Sequence, residues 1–208
     1  MILAIVMTVL VGYLLGNLNG AVCMSNLVAH EDVRSRGSGN AGLTNFARNY
    51  GGLSSFAVIL IDGGKAVVAC VTGGLLLQNY LGWAAGMAVG GTALMVGHDF
   101  PALLGFRGGK GILSGAAIAF TIDWRIGLIV LGVFATLYLL SGYVSLGSVF
   151  GSLAFAVCFA LLYTHNPVVM ICGAAMGSLA VFMHRGNVAR LIRGQERKTN
   201  LFKRGTKK

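Results

Sequence analysis

The densest group of chemically useful side chains lies in a single segment of fifteen residues, 97–111. It contains His98, Asp99, Arg107 and Lys110 together with five glycines, and the chain on both sides of it is apolar and free of charge. A Gly-Gly-Lys-Gly run lets the backbone approach a ligand closely and adopt positive φ, so successive N–H groups can converge on an anion. Lysine adds a positive charge on a flexible side chain. The segment is therefore predicted to hold a phosphate at a membrane surface.

The sequence lacks several motifs that would indicate other kinds of chemistry. Leu104 stands at the first glycine position of a Walker P-loop, and Gly111 replaces the hydroxyl residue that binds Mg²⁺. No serine lies in a G-x-S-x-G nucleophile elbow, and no histidine begins an H-x₄-D acyltransferase pattern. No His and carboxylate cluster has metal-ligand spacing, so neither a metal nor a cofactor is predicted. A plainer interpretation of segment 97–111 remains open, namely a flexible turn between membrane helices anchored by cytoplasmic positive charge.

The composition is that of a polytopic membrane protein. Of the 208 residues, 56 % are hydrophobic and only 11 % are charged, whereas a soluble domain carries roughly 25 % charged residues. We expect an all-α transmembrane bundle forming one integral membrane domain over residues 1–208, which ends in a basic cytoplasmic motif and tail at 184–208. The four cysteines lie far apart in or beside apolar stretches and are interpreted as core residues.

Hydropathy and charge together predict about seven spans. The apolar segments are 2–22, 53–77, 80–96, 112–122, the two halves of 127–164 on either side of a break at 141–145, and 167–183. Segment 112–122 is short for a straight span of about 20 residues, so a half-span or re-entrant piece is an alternative. Fourteen of the sixteen Lys and Arg residues lie in 30–52, 97–111 and 184–208. The positive-inside rule places these regions in the cytoplasm and the N-terminus outside, and that parity favours seven crossings over six.

The polar residues are gathered on one face of the predicted bundle. We call the three regions loop one (30–52), loop two (97–111) and the C-terminal segment (184–208). Three loops bearing Arg and Lys beside a bilayer suit a substrate with one or two phosphates and a lipid tail. Within the membrane, Asp62 and Lys65 stand three residues apart and are predicted to form a structural ion pair.

Motifs in all three regions resemble a known family, the bacterial acyl-phosphate:glycerol-3-phosphate acyltransferases. Loop one contains G-S-G-N-x-G-x-T-N-x-x-R from Gly37 to Arg48, and loop two contains G-H-x-x-P followed by F-x-G-G-K-G. The C-terminal segment contains H-x-x-N-x-x-R-L-x-x-G-x-E from His184 to Glu196. The resemblance covers nearly the whole chain and departs chiefly at Leu43, where the family usually has alanine.

The resemblance implies a bacterial multi-pass enzyme of the cytoplasmic membrane that needs no covalent intermediate. It would transfer a fatty acyl group from acyl phosphate to the 1-hydroxyl of glycerol 3-phosphate on the cytoplasmic face, giving lysophosphatidate and phosphate among membrane lipids, with no nucleic acid partner. The implied catalytic residues are His184, Asn187, Ser38, Arg48 and Lys110. The implied substrate-binding residues are Gly37, Gly39, Asn40, Thr44, Asn45, His98, Arg107, Gly108, Gly109 and Gly111. Glu196, Asp62 and Lys65 are expected to be structural.

Two other classes of protein remain as alternatives. A transporter of small anions or phosphate esters predicts charge in the middle of the helices, discontinuous helices and an inverted repeat. The Asp62–Lys65 pair and the short segment 112–122 favour it, but no internal repeat is visible. A non-catalytic membrane scaffold is the other class, but it would not explain the polar, glycine-rich loops.

Overall fold

The computed structural model describes residues 1–199, and within them every regular element is helical. The α-helices are α1 Ile2–Asn17, α2 Gly20–Ala29, α3 Leu43–Asn49, α4 Gly52–Leu81, α5 Trp83–Asp99, α6 Ile112–Ile122, α7 Trp124–Ser141, α8 Val144–Leu162, α9 Pro167–Met183 and α10 Arg185–Ile192. Short 3₁₀ helices lie at Val33–Ser35 and Ala102–Leu104. The predicted all-α architecture is confirmed.

The number of full-length spans is smaller than expected. Five helical stretches in residues 1–199 are long and apolar enough to cross a membrane, and α9 with α10, bent by 54° at His184, makes a sixth if counted as one span. The helix α6 has 11 residues, which is about 16 Å against an apolar thickness of about 30 Å. The final helix and the break at 141–145 lie where the sequence predicted them.

Two predicted boundaries are wrong. The turn between the second and third spans was placed at Gln78 and Asn79, but α4 continues to Leu81 and the chain turns at Gly82, whose φ of 84° suits glycine. The first span was expected over 2–22 as one helix. It is instead two helices, α1 and α2, which the Leu18–Asn19 link separates.

The buried Asp62–Lys65 pair accounts for the break in the first span. Lys65 Nζ lies 2.8 Å from Asp62 Oδ1, and both side chains are buried. Lys65 donates to the carbonyl of Leu18 at 2.5 Å, and Asp62 Oδ1 accepts the Gly20 amide at 3.0 Å. Backbone groups released at a helix break inside a membrane must find partners in the protein, and this pair supplies them. The ion pair predicted between Asp62 and Lys65 is therefore present in the structure.

Small residues let the central helices approach closely. Helix α5 packs against α1, α4 and α9. At Gly73 of α4, an added Cβ would overlap the carbonyl of Gly86 on α5, and at Gly97 it would overlap the backbone of Tyr13 on α1. Membrane helices associate through such close backbone contact, since lipid gives no hydrophobic drive between them. This packing fixes the end of α5, and with it the start of loop two.

Candidate functional site

Loop one is built around the side chain of Asn45. This residue lies on α3 and is 2 % exposed. Its Oδ1 accepts the Ser38 amide at 2.9 Å, while its Nδ2 donates to the carbonyls of Val33, Arg36 and Asn40 at 3.0–3.1 Å. The amide group is therefore committed to the loop, which leaves it no free donor for a phosphate. It positions the Ser38 backbone, and Ser38 itself is exposed.

Loop two folds back on the end of α5. The amides of Gly108 and Gly109 donate to the carbonyls of Asp99 and His98 at 3.2 and 3.1 Å. These two N–H groups are used within the loop, which differs from the expectation that they would converge on an anion. Within the Gly-Gly-Lys-Gly run, the positive φ lies at Gly111, with a value of 68°. Gly109 is required for a different reason, because a Cβ there would overlap the imidazole of His98.

The side chain of His98 is buried inside the protein and does not face the solvent. It is 4 % exposed, and its Nδ1 lies 2.9 Å from Lys65 Nζ and 3.9 Å from Asp62 Oδ1. Because an ammonium group can only donate, Nδ1 accepts, and the neutral ring carries its proton on Nε2. The His98 ring therefore lies between the buried Asp62–Lys65 pair and the backbone of Gly109.

The C-terminal segment brings a histidine, an amide and a carboxylate together. Asn187 donates through Nδ2 to Glu196 Oε1 at 2.8 Å, and its Oδ1 accepts from Lys110 Nζ of loop two. Glu196 also accepts from Arg190 Nε at 2.7 Å and from Ser145 Oγ at 3.0 Å. His184 is buried, and its Nδ1 lies 2.8 Å from the carbonyl of Ala180. A carbonyl can only accept, so Nδ1 carries a proton, and in the neutral ring Nε2 then keeps its lone pair.

Three sets of hydrogen bonds join the loops into one site. Arg34 of loop one donates through Nη1 to the carbonyls of Leu104 and Arg107 in loop two, at 2.7 and 3.0 Å. Lys110 reaches Asn187 of the C-terminal segment. Arg48 donates through Nη2 to Thr199 Oγ1, which links loop one to the same segment. The three regions that the sequence grouped therefore lie side by side.

The site carries an excess of positive charge. The charges of Arg48, Arg185 and Arg190 all act on Lys110, against the single carboxylate of Glu196. Burial and then the charge of Arg190 lower the pKa of Lys110 to about 8. Burial works to raise the pKa of Glu196, but hydrogen bonds from Asn187, Arg190 and Ser145 outweigh it and the net shift is downward. Glu196 is therefore ionised at neutral pH and serves as the anchor of the segment.

Some predicted residues are not joined to the others. Within residues 1–199, no side-chain hydrogen bond links Ser38, Asn40 or Thr44 to loop two or the C-terminal segment. Gly37 and Gly39 both have a positive φ, of 61° and 72°. The side chain of Arg107 is exposed, and the residue contacts loop one through its backbone carbonyl, which accepts a hydrogen bond from Arg34. The described residues contain no group of three or more His, Cys, Asp or Glu side chains able to hold a metal ion.

Two residues of interest were missed by the sequence reasoning. Arg34 was counted only among the loop charges, because helical spacing gives no reason to pair it with Asp32, two residues away. In the structure the two side chains form an ion pair at 2.7 Å. Asp99 is 0 % exposed, and neither of its carboxylate oxygens has a hydrogen-bond partner within the described chain. Nothing in the sequence around Asp99 distinguished it from a loop residue.

Comparison with known proteins points to one family. A family model described as glycerol-3-phosphate acyltransferase matches residues 6–194. The chain is 37 % identical over 193 residues to a glycerol-3-phosphate acyltransferase of Thermoanaerobacter sp. (strain X514), which covers 93 % of this chain and 94 % of that protein. Another glycerol-3-phosphate acyltransferase, from Finegoldia magna, is 37 % identical over 194 residues, with 91 % and 93 % covered.

Solved structures agree with the sequence relatives. The fold is similar to the crystal structure of PlsY, an integral membrane glycerol 3-phosphate acyltransferase, in its glycerol 3-phosphate form. The TM-score is 0.85 at 26 % identity, covering 96 % of this chain and 99 % of that one. The lysophosphatidic acid form of PlsY matches with a TM-score of 0.79, also at 26 % identity, covering 95 % and 96 % of the two chains.

Proposed function

Because this chain belongs to the glycerol-3-phosphate acyltransferase family, we propose that it transfers a fatty acyl group from acyl phosphate to the 1-hydroxyl of glycerol 3-phosphate. The products are lysophosphatidate and inorganic phosphate. It is an integral membrane acyltransferase, and the transporter alternative is not favoured.

The observation that carries this proposal is the convergence of three basic loops around Lys110. Two substrates that both carry phosphate repel each other, so an enzyme that joins them must supply positive charge on both sides. Lys110, Arg48 and Arg190 supply it, with Glu196 the one carboxylate acting among them. We assign Lys110 and Arg48 to the phosphates, with Ser38 and Asn40 presented by loop one for the same purpose.

The chemistry needs no nucleophile from the protein. Acyl phosphate is a mixed anhydride with a good leaving group, so the glycerol hydroxyl attacks the carbonyl directly once both are aligned. The free lone pair on His184 Nε2 suits acceptance of the hydroxyl proton. Asn187, fixed between Lys110 and Glu196, is placed to orient the reacting groups. We assign Glu196 a structural role.

An apolar groove on the bundle surface suits the acyl chain. It has a volume of about 310 Å³ and lies between α1, α5 and α9, with Val9, Tyr13, Val89, Val96 and Cys172 among its lining residues. Tyr13, one of its lining residues, donates through its hydroxyl to the carbonyl of Phe100 in loop two at 3.0 Å. A chain lying in this groove reaches the site from the lipid side, and the product leaves along the same path.

The proposed topology has seven crossings in one integral membrane domain over residues 1–208 of a bacterial cytoplasmic membrane. The five long stretches, the bent pair and α6 make up the seven, with the N-terminus outside and the three loops in the cytoplasm. Single cysteines at Ser38, Gly105 and Gly194, in a chain with its native cysteines replaced, should resist membrane-impermeant reagents added outside. A cysteine at Asp123 should react. Labelling of any of the first three from outside would overturn this topology.

A reconstitution assay tests the reaction. Purified protein is mixed with acyl phosphate and labelled glycerol 3-phosphate, and lysophosphatidate is followed with time. Acyl-CoA serves as the parallel donor. Product from acyl phosphate alone is the expected result. Product from acyl-CoA alone would overturn the donor assignment and keep the acyltransferase activity.

A further inference from the structure

We propose that Arg34 is a positioning residue that sets the distance between the two substrate-binding loops. Three of its donor nitrogens are engaged at once. Nε and Nη2 bind the carboxylate of Asp32 at 2.7–3.1 Å, and Nη1 donates to the carbonyls of Leu104 and Arg107. A planar guanidinium offers five N–H groups in fixed directions, so a single side chain ties the 3₁₀ helix of loop one to two points of loop two.

The contact is transmitted to the candidate site on both sides. Arg107 is followed directly by Gly108, Gly109 and Lys110, so its carbonyl fixes the start of the glycine-lysine run. In loop one, Arg34 lies between Val33 and Arg36, whose carbonyls both accept from Asn45. Asn45 in turn accepts the amide of Ser38. A path made of hydrogen bonds and short stretches of backbone therefore runs from Ser38 to Lys110 through Arg34.

Arg34 does not have the free donors of a phosphate ligand. Four of its five N–H groups are used in the contacts just described, and its side chain is 23 % exposed. Asp32 holds the guanidinium in the plane that reaches both carbonyls. Lysine at this position would keep the charge but lose the fork, because an ammonium group cannot hold one carboxylate and two carbonyls in one plane.

The consequence rests on the proposed function, in which each loop binds one of two phosphates. Loosening the link leaves each loop able to bind its own substrate, but it disturbs their mutual alignment, on which the rate of a bimolecular transfer depends steeply. A positioning residue therefore acts on kcat, whereas a direct phosphate ligand acts on KM.

The kinetic test compares Arg34→Lys with Arg36→Lys. Arg36 is the matched control, since it lies two residues away, is 57 % exposed and pairs with Glu31 at 2.7 Å. For Arg34→Lys we expect kcat to fall at least about tenfold, with KM for each substrate changed by less than about threefold. Arg36→Lys should behave as wild type. A raised KM at unchanged kcat would overturn the positioning role, as would a lower melting temperature with unchanged kcat.

A double-variant cycle tests the part that Asp32 plays. Asp32→Asn should lower kcat on its own and should add little to Arg34→Lys, because it acts only through Arg34. Additive losses would overturn the assignment of Asp32. If Arg34→Lys does not fold, Asp32→Asn alone carries the kinetic test.

A distance measurement separates failure of this inference from failure of the proposed function. Spin labels at Ser35→Cys and Leu103→Cys, two exposed positions on the two loops, are placed in a chain lacking its native cysteines. The distance distribution should broaden in Arg34→Lys and stay narrow in Arg36→Lys. An unchanged distribution in Arg34→Lys overturns the inference. Broadening in a protein that transfers no acyl group would retain the inference and overturn the reaction.

Discussion

The Gly108–Gly109 backbone separates two groups of charge that the protein treats in opposite ways. On its inner side, Asp62, Lys65 and His98 are buried, and each has a charged or polar partner within 3 Å. On its outer side, Lys110 lies among several arginines with the carboxylate of Glu196 alone to offset them. Buried charges need partners because desolvation is costly, so the inner group serves structure. The outer excess of positive charge is available for phosphate.

The largest effect is expected from breaking the inner group. Lys65→Met leaves Asp62 buried without its partner, and removing one member of a buried pair costs about 3–5 kcal/mol of unfolding free energy. Thermal unfolding in detergent, followed by tryptophan fluorescence, measures it. The double variant Asp62→Asn with Lys65→Met removes both charges and should lose much less. A double-variant loss equal to the sum of the Lys65→Met and Asp62→Asn single-variant losses would show that the two side chains act independently.

The outer group should govern turnover and leave the fold intact. Lys110→Ala and Arg48→Ala should each lower kcat/KM at least tenfold, since a charge-assisted contact contributes about 1.5–3 kcal/mol. Arg193→Ala, at an exposed position on the C-terminal segment, is the control and should have little effect. Steady-state kinetics on folded protein decide this. Wild-type kinetics in either loop variant would contradict the assignment of that residue to a phosphate.

Gly109→Ala tests whether the two groups communicate through the loop. The added methyl would overlap His98, so the ring or the loop must move, and overpacking of this kind typically costs about 1–3 kcal/mol. We expect KM for one of the phosphate substrates to rise roughly fivefold to tenfold. Gly63→Ala is the matched control, since nothing lies within 4 Å of its added methyl. Unchanged KM for both substrates would support a simple connector between helices.

The pH dependence of KM for the phosphate substrates should follow the titration of Lys110. Its pKa is lowered to about 8, and a bound phosphate favours the protonated amine. The affinity for the phosphate substrate is therefore highest below that pKa and is lost as the pH rises through it. KM should increase roughly fourfold at half a pH unit above the pKa. Lys110→Arg stays charged throughout this range, so its KM profile should be flat. A rise of equal size in Lys110→Arg would assign the titration to another group.

The smallest effect is expected at Asp99, the residue that belongs to neither group. Within residues 1–199, neither of its buried oxygens has a hydrogen-bond partner, and burial of an unpaired carboxyl group opposes folding. Asp99→Asn should therefore keep the activity and leave the melting temperature equal or slightly higher. Loss of activity at an unchanged melting temperature would instead place Asp99 in the reaction.

Composition and charge placement determined much of the architecture. Long apolar stretches can span a bilayer only as helices, because backbone groups in lipid must be paired within the chain. Hydropathy therefore located α9 and the break between α7 and α8. The basic residues likewise marked out three loops, and Asp62 with Lys65 was recognised because helical spacing brings residues three apart together.

Tertiary structure decided what those groups contact. The first span breaks at Leu18–Asn19 because Asp62 and Lys65, more than 40 residues later in the chain, satisfy the released backbone groups. A side chain at Gly109 would overlap the imidazole of His98. Arg34 contacts loop two through the carbonyls of Leu104 and Arg107. Spacing in the sequence indicates which residues are neighbours along one helix. Hydrogen bonds between loops depend instead on the positions of the helix ends, which are set by how the helices pack. For that reason the residue types of the site were readable in the sequence, and their partners were not.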